Sequence, residues 1–438
     1  MKKEEYKSQG RETGLEIAEG GQGGTSPFKR TFSSFKNPLF RLYFGGMIGQ
    51  MAAFNMQGIT TSLLLYRITG SAAILGAMSL ANAIPMLILS LFGGVIADRV
   101  QKKYVMLIGQ SAFAVASLGI ALALTLGYLS TERAGSWWIL VVASILQGVI
   151  MGLTQPARVA IIREIVSGEQ LMNAVSLNTM GMNTCGIFGP ALAGFLIDAF
   201  GFEAVYFTMT GTFLMSVGFI SFLPRTSTIA ARSVSVLAGI KEGLNYIRHD
   251  ITIFLILLFT LFIVILSMPY GMMMPIFADD VLKFSSGEAI GARGMGVLLS
   301  VSGIGAIVGS LVLASLPNKK RGAMLLIGSF VLGLALTGFS FSRSWPLSLT
   351  LIVFVGVGQT VRMTLSNTLI QYYVDDIYRG RVMSIMMMEF GLASFGTFAA
   401  GVLTETLGVQ WAVGGFALVL VLLSILVLAF VPRLRRLD

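Results

Sequence analysis

Gly94-Val-Ile-Ala-Asp98-Arg99-Val-Gln-Lys102-Lys103 occupies a short polar gap between two long apolar runs, the second and third of twelve. An Asp-Arg pair and a lysine doublet are costly to hold beside hydrocarbon, so this stretch belongs at a membrane surface. Lysines alone would serve to orient the chain. Asp98 asks for a second purpose, such as pairing with Arg99 or accepting backbone donors at a nearby helix start. Gly94, four residues earlier, lets its helix approach a neighbour closely.

Outward from that gap, the 438-residue chain is 55% hydrophobic and only 12% charged. A soluble domain carries roughly twice that charged fraction. Most of the apolar runs reach the ~20 residues that cross ~30 Å of hydrocarbon as a helix. They fall near 39–66, 73–97, 104–128, 137–158, 172–199, 203–223, 251–278, 294–316, 322–341, 346–367, 382–405 and 410–431. Their length, and the Gly and Pro inside them, exclude a β-barrel, whose strands would alternate. The fold class is an all-α membrane protein with twelve transmembrane helices.

The net charge of +10 could point to nucleic acid, but the distribution of the charges points elsewhere. With twelve spans and both termini in the cytoplasm, 26 of the 31 Lys and Arg fall on the cytoplasmic side. Only Arg67, Arg133, Lys283, Arg293 and Arg343 fall outside. This is the positive-inside bias, and it makes the lipid bilayer, not nucleic acid, the partner that explains the charge. The lone Cys185 lies in the fifth span and reads as a packing residue, and the lone His249 cannot build a metal site. The polar, Gly-rich start has no apolar core of a signal peptide and reads as a disordered cytoplasmic tail over 1–35.

The longest polar interior stretch, 224–250, separates six spans (36–223) from six more (251–431), with a basic tail at 432–438. Within it Val236, Ile240, Leu244 and Ile247 recur at three- and four-residue spacing. They predict an amphipathic helix whose Arg232, Lys241 and Arg248 suit an anionic leaflet. The halves echo each other. Gln155-Pro-Ala-Arg158 after span four returns as Gln359-Thr-Val-Arg362 after span ten, and Val175 in the start of span five matches Val382 in that of span eleven. A duplicated transporter places its substrate path between two bundles, near the midplane.

The 94–103 stretch resembles the loop signature of the major facilitator superfamily, with Gln101 in place of its second glycine. Asn37-Pro-Leu-Phe40-Arg41, Thr69-Gly-Ser71-Ala and Arg379-Gly-Arg381-Val-Met resemble the branch of bacterial enterobactin exporters and macrolide efflux proteins. The resemblance spans residues 36–431. It implies two six-helix bundles, and export of small amphipathic, drug- or siderophore-like molecules by proton-driven alternating access. It implies a cell-membrane protein, working as a monomer without a cofactor. It also implies that Gly94, Asp98, Arg99, Lys102 and Lys103 latch the cytoplasmic gate.

Two further motifs carry the same resemblance. Gly186, Gly189, Pro190 and Gly194 in span five are similar to an antiporter signature; any kinked, tightly packed span is the alternative reading. Span four keeps Gln147-Gly148 of a drug-exporter motif but has Ser144 where its proton-handling arginine stands. Coupling must then rest on another group.

Glu389, eight residues into span eleven, is the deepest carboxyl. Taken out of water, it suits proton pick-up and release; pairing with Arg362 or Arg381 is the alternative. The duplicated Arg158 and Arg362 are candidate gate pairs. Asp198, Asp279, Asp280 and Glu405 fall at external span ends, where solvation is expected. Gln50, Asn55, Gln57, Asn82, Gln147, Asn178, Asn183 and Gln359 place amides at middle depth. Such groups line a wet cavity or bond between helices.

Other classes fit less well. A primary pump would need a nucleotide motif, and no Gly-x-x-x-x-Gly-Lys-Ser/Thr occurs. An enzyme would need a His cluster, paired carboxylates or a nucleophilic triad, none of which is present. A lysophospholipid flippase or an importer of the same fold remains open. The threading predicts that Arg30→Cys, Ile240→Cys and Arg436→Cys, each in a Cys185→Ser background, label only after permeabilisation. Labelling of any one in intact cells overturns it.

Overall fold

A computed structural model describes residues 33–438 apart from 131, 134, 167, 225–235, 285 and 318. For 91–99, 156, 159, 160, 163, 168, 169 and 236–240 it describes the backbone alone. The helices are α1 (Pro38–Thr69), α2 (Ala72–Arg99), α3 (Lys102–Thr125), α4 (Trp138–Ile165), α5 (Gly168–Ser221), α6 (Val236–His249), α7 (Ile251–Ser267) and α8 (Pro269–Ile276). They continue as α9 (Gly291–Ser315), α10 (Arg321–Phe341), α11 (Trp345–Tyr373), α12 (Asp376–Leu407), α13 (Val409–Phe430) and the short α14 (Pro432–Arg435).

Ten segments among the described residues are long and apolar enough to cross a membrane. One of them, α5, is two crossings. Gly201 breaks it with φ 85° and ψ 176°, a backbone region open to glycine and closed to residues with a Cβ. Another crossing runs through α7 and α8 to Val281. The twelfth is α1, 32 residues long, whose Gln50, Asn55, Gln57 and Thr60–Ser62 lower its apolarity. The protein is therefore an all-α membrane protein of twelve transmembrane helices. A second single-glycine joint, Gly408 at φ 81°, links α12 directly to α13.

The helices form two six-helix bundles. α1 packs on α5, α2 on α4, and α3 on both α4 and α5. In the other half α9 and α10 pack on α11, α10 on α13, and α7 on α12 and α13. The bundles meet along two seams, α5 against α9 and α2 against α12. With twelve crossings, both described termini lie at one end of the molecule, the terminal end; the opposite end is distal.

Several helices run past the spans read from hydropathy: α4 reaches Ile165, α11 reaches Tyr373 and α12 begins at Asp376. Intrahelical bonding continues beyond the apolar core into polar surroundings, where hydropathy no longer marks it. The expected disordered tail lies mostly outside the described residues. Its last part is ordered, because Ser33–Lys36 forms a turn of 3-10 helix and the Ser34 hydroxyl donates to Asn173 Oδ1 at 2.7 Å. The basic tail is docked: Gly322 N donates to Leu437 O, and Leu434 and Leu437 are buried.

The linker helix α6 forms where the spacing predicts, but it rests on the second bundle. Tyr246 stacks on Tyr378 with centroids 4.2 Å apart, and Glu242 pairs with Arg381. Ile247 is buried and Leu244 exposed, while Gly243 sits against Arg381 and Ile385. Of the predicted apolar stripe, Ile247 packs inward and Leu244 does not; the side chains of Val236 and Ile240 lie outside the described residues.

Close helix approach holds each bundle. A Cβ on Gly148 would come within 2.0 Å of the Asn82 carbonyl oxygen. Gly148→Val should therefore lower the thermal midpoint in detergent, by an overpacking penalty of about 1–3 kcal/mol or more. Gly58→Ala, into open space, should leave it unchanged. Equal midpoints for both variants would contradict the packing described.

Candidate functional site

The two seams close the distal half of the molecule. On one, a Cβ on Gly194 would meet Ala292 O at 2.5 Å, one on Gly296 would meet Pro190 O at 2.6 Å, and Ser300 donates to Ile187 O. On the other, Gly76 lies against Phe398, Gly401 against the Ala72 carbonyl, and Gly391 against Leu87. These are small-residue contacts that let backbones touch.

Below Ile187 and Leu87 the bundles part. Asn183, one turn before Ile187 on the same face of α5, is exposed, as are Ile307 and Leu311 on the facing stripe of α9. Ser384 and Met387 are exposed on the α12 stripe that continues from Gly391. The result is a cleft open toward the terminal end and shut at the distal end.

Gly186, Gly189, Pro190 and Gly194 sit at the apex of that cleft. A Cβ on Gly189 would meet Asn55 Cβ of α1 at 2.7 Å, whereas Pro190 and Gly194 face α9. One short motif thus packs α5 on its own bundle and on the other.

Polar bridges reinforce the distal closure. Arg67 Nε donates to Asp279 Oδ2 at 2.9 Å, Tyr66 OH donates to Asp280, and Glu405 accepts from Ser71 Oγ at 2.6 Å and Ala73 N at 3.0 Å. Asp280 and Glu405 are exposed and Asp279 is half-buried, in keeping with the solvation expected at external span ends, and each also joins one bundle to the other. Hydropathy shows depth but not the neighbour across an interface. Asp198 is exposed, as expected.

In the second bundle, Glu389 is 6% and Arg362 5% exposed. Thr260 Oγ1 of α7 donates to Glu389 Oε1 at 2.8 Å. Arg362 Nε donates to Gln359 Oε1 at 3.2 Å, and Gln359 Nε2 donates to Ser267 Oγ at 3.3 Å. Arg362 acts on Glu389 electrostatically without a direct ion pair. Thr260 and Ser267 escaped the sequence reading; the clue was their polarity inside the apolar run of α7.

Among its described residues the first bundle has no such carboxylate beside its arginine. Arg158 Nη1 lies 3.7 Å from Met51 Sδ, and Tyr43 is its titratable neighbour. Tyr43 OH donates to Asn178 Oδ1 at 3.4 Å. Neither Arg158 nor Arg362 forms an ion pair across the bundle boundary among the described residues.

The remaining amides divide by partner. Gln57 Nε2 donates to Gln147 Oε1 at 3.2 Å and Asn82 Nδ2 to Ser144 O at 3.1 Å. Asn55 bonds back to Met51 O within α1. Gln50 Oε1 is buried without a partner.

Of the opening loop, the backbone of Gly94, Asp98 and Arg99 completes α2; their side chains lie outside the described residues. The lysine doublet is engaged. Lys102 Nζ pairs with Glu164 at the end of α4 at 2.6 Å. Lys103 Nζ donates to Ser221 O and Leu223 O, at the negative end of a helix dipole.

The family model described as Major Facilitator Superfamily matches residues 42–395 and, in a second match, 289–438. The chain belongs to that superfamily. It is a transporter and not an enzyme, consistent with the cleft.

Among its relatives, the multidrug efflux pump Tap of Mycolicibacterium fortuitum is 29% identical over 86% of this chain and 91% of its own. The staphyloferrin A transporter of Staphylococcus aureus is 25% identical over 86% and 90%. The enterobactin exporter EntS of Shigella boydii is 22% identical over 91% and 93%. The solved structure of a D-xylose-proton symporter superimposes with a TM-score of 0.70 at 14% identity, over 91% of this chain and 99% of its own. The superfamily and its exporter branch, expected from the loop and the Arg379–Met383 stretch, are borne out.

The distal bridges are partly exposed, so each contributes up to about 1 kcal/mol. Asp279→Asn with Glu405→Gln should raise labelling of Asn183→Cys from the distal side by a few-fold, and lower it from the terminal side. No change in either rate would show that the glycine seams alone set the closure.

Proposed function

We propose that this facilitator is a proton-coupled exporter of small amphipathic molecules, working in the cell membrane with both termini in the cytoplasm. The observation that carries the reading is Glu389, buried at the level where the cleft closes and held by Thr260 beside Arg362. A carboxyl there can exchange its proton with whichever side the cleft faces. The segments 36–223 and 251–431 are the two moving bundles, joined by 224–250. The terminal end is the cytoplasmic one, on the 26-to-5 division of basic residues.

Alternating access then has concrete parts. In the form described, substrate enters from the cytoplasm. Opening the other way breaks the distal bridges and parts α5 from α9 and α2 from α12 over their distal halves. The Gly94–Lys103 loop latches the cytoplasmic end in that second form, with Asp98 as its acid. Export as the direction is supported by the Gly186–Gly194 motif at the apex. Relatives named as a multidrug efflux pump and an enterobactin exporter support it too.

Glu389→Gln mimics the protonated acid. It should retain substrate binding and counterflow exchange but lose uphill export driven by a pH gradient in proteoliposomes. Export at the wild-type rate would remove Glu389 from the coupling path.

A further inference from the structure

The internal repeat supplies a control for one unexplained charge. Arg158 and Arg362 stand 204 residues apart in matching stretches. Arg362 shares its buried bundle interior with the carboxyl of Glu389, which acts on it electrostatically although no ion pair joins them. Val175 and Val382 relate the following helices by 207 residues, and that shift carries Glu389 onto Met182. The first bundle therefore keeps the arginine and replaces its acid with a thioether.

The surroundings of Arg158 fit that deficit. Its guanidinium meets Met51 Sδ, and Tyr43 acts on it electrostatically without a hydrogen bond between them. Tyr43 leads to Asn178, whose Nδ2 in turn reaches Met182 Sδ at 3.5 Å. No carboxylate of the described residues pairs with Arg158. A cation away from bulk water is destabilising unless something supplies the opposite charge. Arg158 and Asn178 are only partly buried, at the end of the bundle where the cleft is open, so a solute can supply it.

We infer that Arg158, with Tyr43 and Asn178 beside it, forms an anion subsite that takes a carboxylate of the transported small molecule. The guanidinium offers a planar pair of donors matched to two carboxylate oxygens. Asn178 contributes an amide N–H, now spent on a weak sulfur contact, and Met51 and Met182 provide an adaptable apolar wall. The inference rests on the transport reading above and deepens it. It concerns binding alone, so it stands or falls separately from direction and proton coupling.

The test uses the full chain in phosphatidylcholine nanodiscs, with citrate and benzoate as probes and sodium chloride at matched ionic strength as control. Thermal midpoints should rise saturably with at least one carboxylate and not with chloride. Arg158→Gln should weaken that response by about tenfold or more, as expected when a charge-assisted bond is lost. Met182→Glu restores the internal acid found in the second bundle, so it should abolish the response in a folded protein. It also decides the matter if Arg158→Gln fails to fold. A response to neither carboxylate, or one that survives Met182→Glu unchanged, overturns the subsite.

Discussion

Backbone-to-backbone contact between bundles is the constraint on which the rest depends. Along α5–α9 and α2–α12, glycines hold the halves so close that a single Cβ would collide with a carbonyl or an α-carbon. Contact of that kind is short-ranged; it is lost once the helices diverge by an ångström or two. Because it covers only the distal half, the halves must splay below it, and the cleft is the geometric result. The carboxylate bridges add directionality to a closure whose main attraction is dispersion.

The second bundle shows how polar groups are kept in such a place. Glu389, Arg362, Gln359, Thr260 and Ser267 hang on three helices, and each has a neighbour of opposite character. A buried network of this kind, with its members satisfied, rigidifies the core and holds helices in register. The first bundle keeps part of the pattern and omits the acid. The two halves share a shape and differ in chemistry at this point, Met182 standing where the repeat has Glu389.

The architecture was largely legible in the sequence, because crossing a bilayer demands long apolar helices and leaves a plain record of them. The 94–103 loop, the duplicated arginines and the Arg379–Met383 stretch led to the right superfamily. Glu389 could be picked out as the deepest carboxyl, since isolated charges stand out in apolar runs. Pairings were not legible. Nothing in the spacing says that Glu405 reaches Ser71, or that Asp279 reaches Arg67, over 300 and 200 residues away along the chain. Nor could the amides be sorted into those that bond between helices and those that face the cleft, because both settings select the same residue type.

The joints at Gly201 and Gly408 bear on mechanics. Each seam contains one helix, α5 or α12, that runs into the next crossing through a single glycine with positive φ. A joint of one residue has almost no slack. When the seam helix tilts, its neighbour must travel with it, so the two crossings of α5 are coupled to each other and α12 is coupled to α13. Lengthening either joint by a few flexible residues would let the seam helix move alone, and force applied at the cleft would dissipate before it reached the opposite face.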